Sequence, residues 1–130
     1  MIVLDASALL ELLLQTPKGV LVGERALATE ERLHAPQLID IEVAQTLRRL
    51  TQSKSLSVPR AEQALTDFAD LAIERHAHRH FLSRIWQLRD SLTAYDAAYV
   101  SLAEALEAPL VTCDGKLARA HGHHARVTLV

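Results

Sequence analysis

LTAYDAAYVSLAEALEAPLVTCDG, residues 92–115, is the stretch that decides the fold. Thr93 is a helix-capping residue, the following residues are mostly helix formers, and Pro109 ends the run, so a helix is expected over 93–107. LVTC, residues 110–113, then reads as a short buried strand that stops at the turn pair Asp114-Gly115. A helix that leads into a strand of a parallel sheet runs against that strand and begins beside its carboxyl end. Asp96, in the first turn of the helix, and Asp114, just past the strand, therefore belong to one edge of the sheet.

The rest of the chain repeats this alternation. Ile2 to Leu4 is an apolar run stopped by Asp5, and Ser7 or Asp5 can cap a helix reaching about Gln15. Thr16-Pro17-Lys18-Gly19 is a turn signal, after which residues 20–31 read as helix. Leu33 to Ala35 suggests a short strand before Pro36, and residues 37–51 suggest a helix. Pro59 suits the first turn of a helix running through AEQALTDFADLAI, and residues 79–89 carry another. The IERHAH stretch between them has no clear periodicity. KLARA and VTLV supply a short helix and a last strand. Apolar strands alternating with helices define an α/β fold with a mainly parallel central sheet and right-handed crossovers.

Composition bounds the function. A chain of 130 residues, 49% hydrophobic and 23% charged with 4 Gly and 4 Pro, fits one globular domain spanning 1–130. A net charge of −2 excludes a generally basic nucleic-acid-binding surface, so any polyanion is bound locally. Cys113 is the single cysteine and cannot form an intramolecular disulfide, which favours a reducing compartment and hence the cytoplasm. MIVLDASALLELLL lacks the basic start of an export signal and is interrupted by Asp5 and Glu11, and no run is long and apolar enough for a membrane helix.

Ligands of open parallel sheets bind outside the carboxyl ends of the strands. Asp5 and Asp114 each follow a strand there, Asp96 opens a helix there, and the helix of 37–51 brings Asp40 and Glu42 to the same rim. Two residues apart on a helix are separated by about 200°, so only one of Asp40 and Glu42 faces the crevice, and periodicity does not choose between them. Each acid alone could be a cap or a turn residue. Together they repel unless a cation is present, and oxygen-only ligands favour Mg²⁺ or Mn²⁺ over zinc.

Asp5-Ala6-Ser7, Pro36-x-Leu38-x-x-x-Glu42-Val43, Leu92-Thr93-x-Tyr95-Asp96-Ala97-Ala98-Tyr99 and Thr112-x-Asp114-x-x-Leu117 resemble, in order and spacing, the successive motifs of PIN-domain ribonucleases. The chain length and the LTAYDAAYV phrase resemble the VapC toxins of bacterial toxin–antitoxin pairs. The resemblance implies a PIN-like fold and a Mg²⁺- or Mn²⁺-dependent endoribonuclease with Asp5, Glu42, Asp96 and Asp114 as catalytic acids. It chooses Glu42 over Asp40, and it implies a homodimer neutralised by a cognate VapB-like antitoxin. Asp5, Asp96 and Asp114 are the expected metal ligands, and Ser7 and Thr112, two residues from Asp5 and Asp114, are expected to hydrogen-bond to them.

Rival readings are weaker. A haloacid-dehalogenase phosphatase needs a second acid where Ser7 stands, and a receiver domain needs an acidic pair near Asp5. A catalytically inactive PIN-like binding module is the alternative of a different class. His76-Ala77-His78-Arg79-His80 would present three imidazoles on one face if extended, and His121-Gly122-His123-His124 adds more. Without a thiol and with Arg79 beside them, solvated surface or RNA contact is preferred there to a zinc or nickel site. Arg48, Arg49, Lys54, Arg84, Arg89, Lys116 and Arg119 are candidates to hold phosphates. Phe68, Phe81 and Trp86 are expected in the core or an interface.

Overall fold

The computed structural model describes residues 1–27 and 30–130. Its elements are β1 (Ile2–Leu4), α1 (Ala6–Leu13), α2 (Pro17–Ala26), β2 (Leu33–Pro36), α3 (Ile39–Gln52), α4 (Val58–Asp70), β3 (Ile73–His76), α5 (Leu82–Gln87), α6 (Ala94–Leu106), β4 (Leu110–Thr112), α7 (Gly115–Arg119) and β5 (Val127–Leu129). A 3₁₀ turn, Arg79–Phe81, precedes α5.

The strands form one all-parallel sheet in the order β3-β2-β1-β4-β5. The chain starts in the middle: it winds outward through β2 and β3 on one side, then returns to place β4 and β5 on the other. The strand order reverses between β1 and β4, and at such a switch point the crossovers diverge and leave a crevice at the carboxyl ends. Asp5 and Asp114 stand at the ends of those two strands. All residues of β1, β2 and β4 are buried, as expected for interior parallel strands.

α6 packs on β1 and β2. Its residues Ala97 to Ala103 are all buried, and Asp96 sits in its first turn, at the carboxyl rim of the sheet. α1 lies against α2, α3 and α4 and forms the second wall of the core.

The structure differs from the sequence reading at several boundaries. Ser7 does not cap α1; Asp5 does, accepting the amide of Ala8, because Ser7 uses its hydroxyl elsewhere. The helix expected over 20–31 starts at Pro17, capped by Thr16, and ends at Ala26; the end of the expected span includes residues 28 and 29, outside the described residues. Ile73–His76 is an edge strand, with charged residues at an exposed rim where parallel sheets are protected from further pairing. The single helix expected over 79–89 is a 3₁₀ turn plus six residues of α-helix. No residue of α5 is buried, so packing does not extend it. Trp86, expected in the core or an interface, is 68% exposed and lies under the guanidinium of Arg89, whereas Phe68 is in the core.

The α1–α2 hairpin depends on a close approach. A Cβ built on Gly19 would lie 2.0 Å from the carbonyl oxygen of Glu11, while one on Gly23 would meet only Leu12 Cδ1 at 3.4 Å. Gly19→Ala should therefore destabilise by about 1–3 kcal/mol through overpacking against backbone. Gly23→Ala, in the same helix, should be neutral or stabilising by up to about 1 kcal/mol. Urea unfolding of the two variants checks the contrast, and equal effects would contradict it.

Candidate active site

Asp5 is 4% exposed, so its carboxylate is stable only if its oxygens are engaged. Oδ1 accepts from the Ser7 hydroxyl (2.7 Å) and the Ala8 amide (2.9 Å), and Oδ2 accepts from the Thr112 hydroxyl (2.5 Å). A carboxylate offers about four lone-pair positions, so these three bonds leave one on Oδ2.

Ser7 and Thr112 do more than neutralise Asp5. Each gives its single proton to Asp5 and accepts a backbone amide from the loop after β4: Cys113 N–H to Ser7 Oγ (3.0 Å) and Asp114 N–H to Thr112 Oγ1 (2.9 Å). The 3.3 Å approach of the two hydroxyl oxygens therefore has no proton left to bridge it. The pair ties the turn after β1 to the turn after β4, which sets where Asp114 stands. Asp114 in turn caps α7, with Oδ1 accepting from the Lys116 amide at 2.9 Å.

Asp96 enters from α6, whose first turn is capped by Thr93 (Asp96 N–H to Oγ1, 3.2 Å). Thr93 is thus the cap, as expected, and the Asp96 carboxylate lines the cleft. Glu42 enters from α3, and Tyr99, one turn beyond Asp96, donates its hydroxyl to Glu42 Oε1 at 2.7 Å. Tyr99 is 1% exposed, so this phenol is a fixed donor.

Asp40, two residues from Glu42, goes elsewhere. The Arg75 guanidinium grips it through Nε to Oδ2 (2.8 Å) and Nη2 to Oδ1 (2.8 Å), on the outer side of β3. The helix face that periodicity left open is chosen by this ion pair and by Tyr99.

Asp5, Glu42, Asp96 and Asp114 all line one cleft of about 680 Å³. Burial raises the Asp5 carboxyl above its ordinary pKa, with Asp114 adding to the shift and the hydrogen bonds from Thr112, Ala8 and Ser7 opposing it. Burial likewise raises Asp96, assisted by the charges of Asp114 and Asp5. Glu42 is raised by burial, opposed by the Tyr99 hydrogen bond and assisted by Asp96 and Asp5. The cleft is thus a pocket of mutually repelling, partly desolvated carboxylates that a divalent cation would neutralise.

Of the seven basic residues considered for phosphate contacts, Arg49 lines this cleft. Arg84 is bound to Glu104, and Arg89 covers Trp86. Cys113 packs against the core rather than into the cleft. His78 and His80 sit in and before the 3₁₀ turn and do not align with His76. His124 pairs with Glu104 at 2.8 Å. Tyr99, and Tyr95, which is 65% exposed at the cleft, are the site residues that sequence reasoning did not single out for a role.

A parallel sheet with carboxylates gathered at its switch point is an architecture of metal-dependent hydrolytic sites, and the chain belongs to the PIN domain family, whose model matches residues 2–122. Within that family the similarity is to the VapC ribonucleases. Ribonuclease VapC12 of Mycobacterium tuberculosis is 43% identical over 130 residues, covering 100% of this chain and 99% of the relative. Ribonuclease VapC9 of the same organism is 42% identical, covering 100% and 98%. Among solved structures, VapBC2 from Rickettsia felis bound to a promoter DNA fragment superposes with a TM-score of 0.70 at 18% identity, covering 99% of this chain and 98% of that one. VapC20 of M. tuberculosis, a sarcin-ricin loop cleaving toxin, gives 0.64 at 12% identity, covering 91% and 93%. These two likenesses concern the fold.

The raised Asp96 pKa has a testable sign. Its protonated form is favoured by the folded state, so its contribution to stability is full below the unfolded value of about 3.9 and is lost as pH rises through the raised folded value. Asp96→Asn removes a charge that the fold disfavours. In EDTA, the melting temperature of the variant relative to the parent should therefore be more favourable at pH 7 than at pH 4. A pH-independent difference would contradict the electrostatic account.

Proposed function

We propose that this chain is a metal-dependent endoribonuclease, the toxin of a VapBC toxin–antitoxin pair, that hydrolyses RNA phosphodiester bonds in the cleft at the β1/β4 switch point. The observation that carries the reading is the convergence of Asp5, Glu42, Asp96 and Asp114 from four separate elements on that cleft, in a chain similar along its whole length to ribonucleases. No feature favours the inactive binding module. The whole chain, 1–130, acts as one PIN-like domain in this reading.

Asp5, Asp96 and Asp114 are the residues proposed to hold Mg²⁺ or Mn²⁺. They offer only oxygens, their charges repel, and Asp5 Oδ2 retains a free lone-pair position. When bound, such a cation supplies a lowered pKa for the attacking water and charge to offset the developing anion. The chain's own groups do the rest. Ser7 and Thr112 aim Asp5 and oppose the burial that raises its pKa. Tyr99 occupies Glu42 Oε1, so Oε2 is the atom that orients or deprotonates the water, and burial raises the basicity of that carboxylate. Arg49 contacts a flanking phosphate, and Tyr95 offers its exposed ring to a base. Among the described residues no helix is long and apolar enough to cross a membrane. Cytoplasmic location, a second copy of the chain and a VapB-like antitoxin complete the proposal, supported by the VapC relatives.

Cleavage of a labelled RNA by purified protein tests it. Activity should require Mg²⁺ or Mn²⁺ and disappear in EDTA. Glu42→Gln should lower the rate by about 10²-fold or more at near-parent stability. Asp40→Asn should cost up to about 1 kcal/mol through its exposed ion pair and leave cleavage largely intact. Metal-independent cleavage, or the reverse ranking of the two variants, would overturn the assignment.

A further inference from the structure

The three-histidine face of residues 76–80 does not form, but His76 finds different company. The parallel register pairs His34 with Glu74 and Pro36 with His76, so Glu74 and His76, the second and fourth residues of the edge strand, lie on the same face as His34. His34 Nδ1 lies 2.8 Å from His76 Nε2 and 3.7 Å from Glu74 Oε2. One donor atom from each of the three lies within 4.8 Å of the others.

We propose that His34, Glu74 and His76 form a second metal site, for a divalent cation of the zinc class, between β2 and the edge strand β3. Tetrahedral zinc with bonds of about 2.0–2.1 Å separates its ligand atoms by roughly 3.3 Å, so the two nitrogens need to part by about half an ångström. His76 and Glu74 are at the partly exposed edge and have that freedom, whereas His34 is 3% exposed and fixed. His34 Nε2 has no hydrogen-bonding partner among the described residues, so the polar contacts of this buried ring are all on the Glu74–His76 side.

Two nitrogens and one carboxylate, with a fourth position for water, suit zinc, cobalt or nickel; the oxygen-only cleft suits Mg²⁺ or Mn²⁺. The two sites draw on different residues: Asp5 and Asp114 follow β1 and β4, and this cluster bridges β2 and the edge strand β3. A cation here would staple the edge strand to the sheet.

Cobalt absorption and zinc calorimetry on the full chain, with cobalt and zinc salts as the probes, test the site. Cobalt should give the intense visible bands of a four-coordinate nitrogen-containing site, and one equivalent of zinc should abolish them. Even outer partners of metal ligands are worth about 10- to 100-fold in affinity, so His76→Gln and Glu74→Gln should each weaken zinc binding by at least the lower figure. Both residues are solvent-accessible, and circular dichroism verifies that the variants fold. His121→Gln/His124→Gln and Asp96→Asn should bind zinc like the parent and retain the bands. The proposal is overturned if the parent shows no such bands, if His76→Gln binds as tightly as the parent, or if binding follows His121/His124 or Asp96 instead.

Discussion

The hydrogen-bonded burial of Asp5 is the interaction on which the rest of the site depends. A carboxylate 4% exposed at the end of the central strand would be costly if unpaired. Its cost is offset by donors that belong to two different turns, so satisfying one charge also fixes the loop that carries Asp114. The same constraint limits what can stand at positions 7 and 112: each must donate one proton and accept one amide, which a hydroxyl does and an apolar residue does not. Three hydrogen bonds do not return Asp5 to ordinary behaviour, because burial outweighs them. That residual imbalance is what a cation in the cleft would relieve.

Topology supplies the other half of the arrangement. Because the chain begins in the middle of its sheet, neighbours of β1 come from opposite ends of the sequence. α6 then serves both sides, packing on β1 and β2 with its buried length while presenting Asp96 and Tyr99 to the cleft. Glu42 is held by Tyr99 on one side of α3 and Asp40 by Arg75 on the other, so opposed polar anchors set the rotation of that helix. Hydrophobic periodicity alone leaves this rotation undetermined.

Much of the arrangement was legible in the sequence because its determinants are local. IVL and LVT are apolar runs halted by aspartate, and LTAYDAAYV followed by Pro109 marks a helix whose start lies at the carboxyl rim. The alternation of such pieces defined the α/β class and brought five acids to one edge. What stayed hidden was non-local. IERH carries charges that mask an edge strand, and only its parallel pairing reveals it. Asp5 and Ser7 are both capping types, and the choice between them depends on an amide of Cys113 that claims the serine. Tyr99 in an alanine-rich helix reads as core; that its hydroxyl reaches a glutamate 57 residues earlier is a fact of packing. His34 similarly finds His76 across 42 residues.

The Asp5–Thr112 bond spans 107 residues of chain. Asp5 leaves the ribosome early, but its partners in the turn after β4 are made only when synthesis has nearly reached residue 114. At about 5–20 residues per second, several seconds separate the two ends of the site. Throughout that interval the emerging polypeptide holds Asp5 without its Thr112 donor and has no assembled acidic cluster. The acidic cluster is therefore among the last features of the fold to assemble during synthesis, and a nascent chain short of residue 114 lacks it.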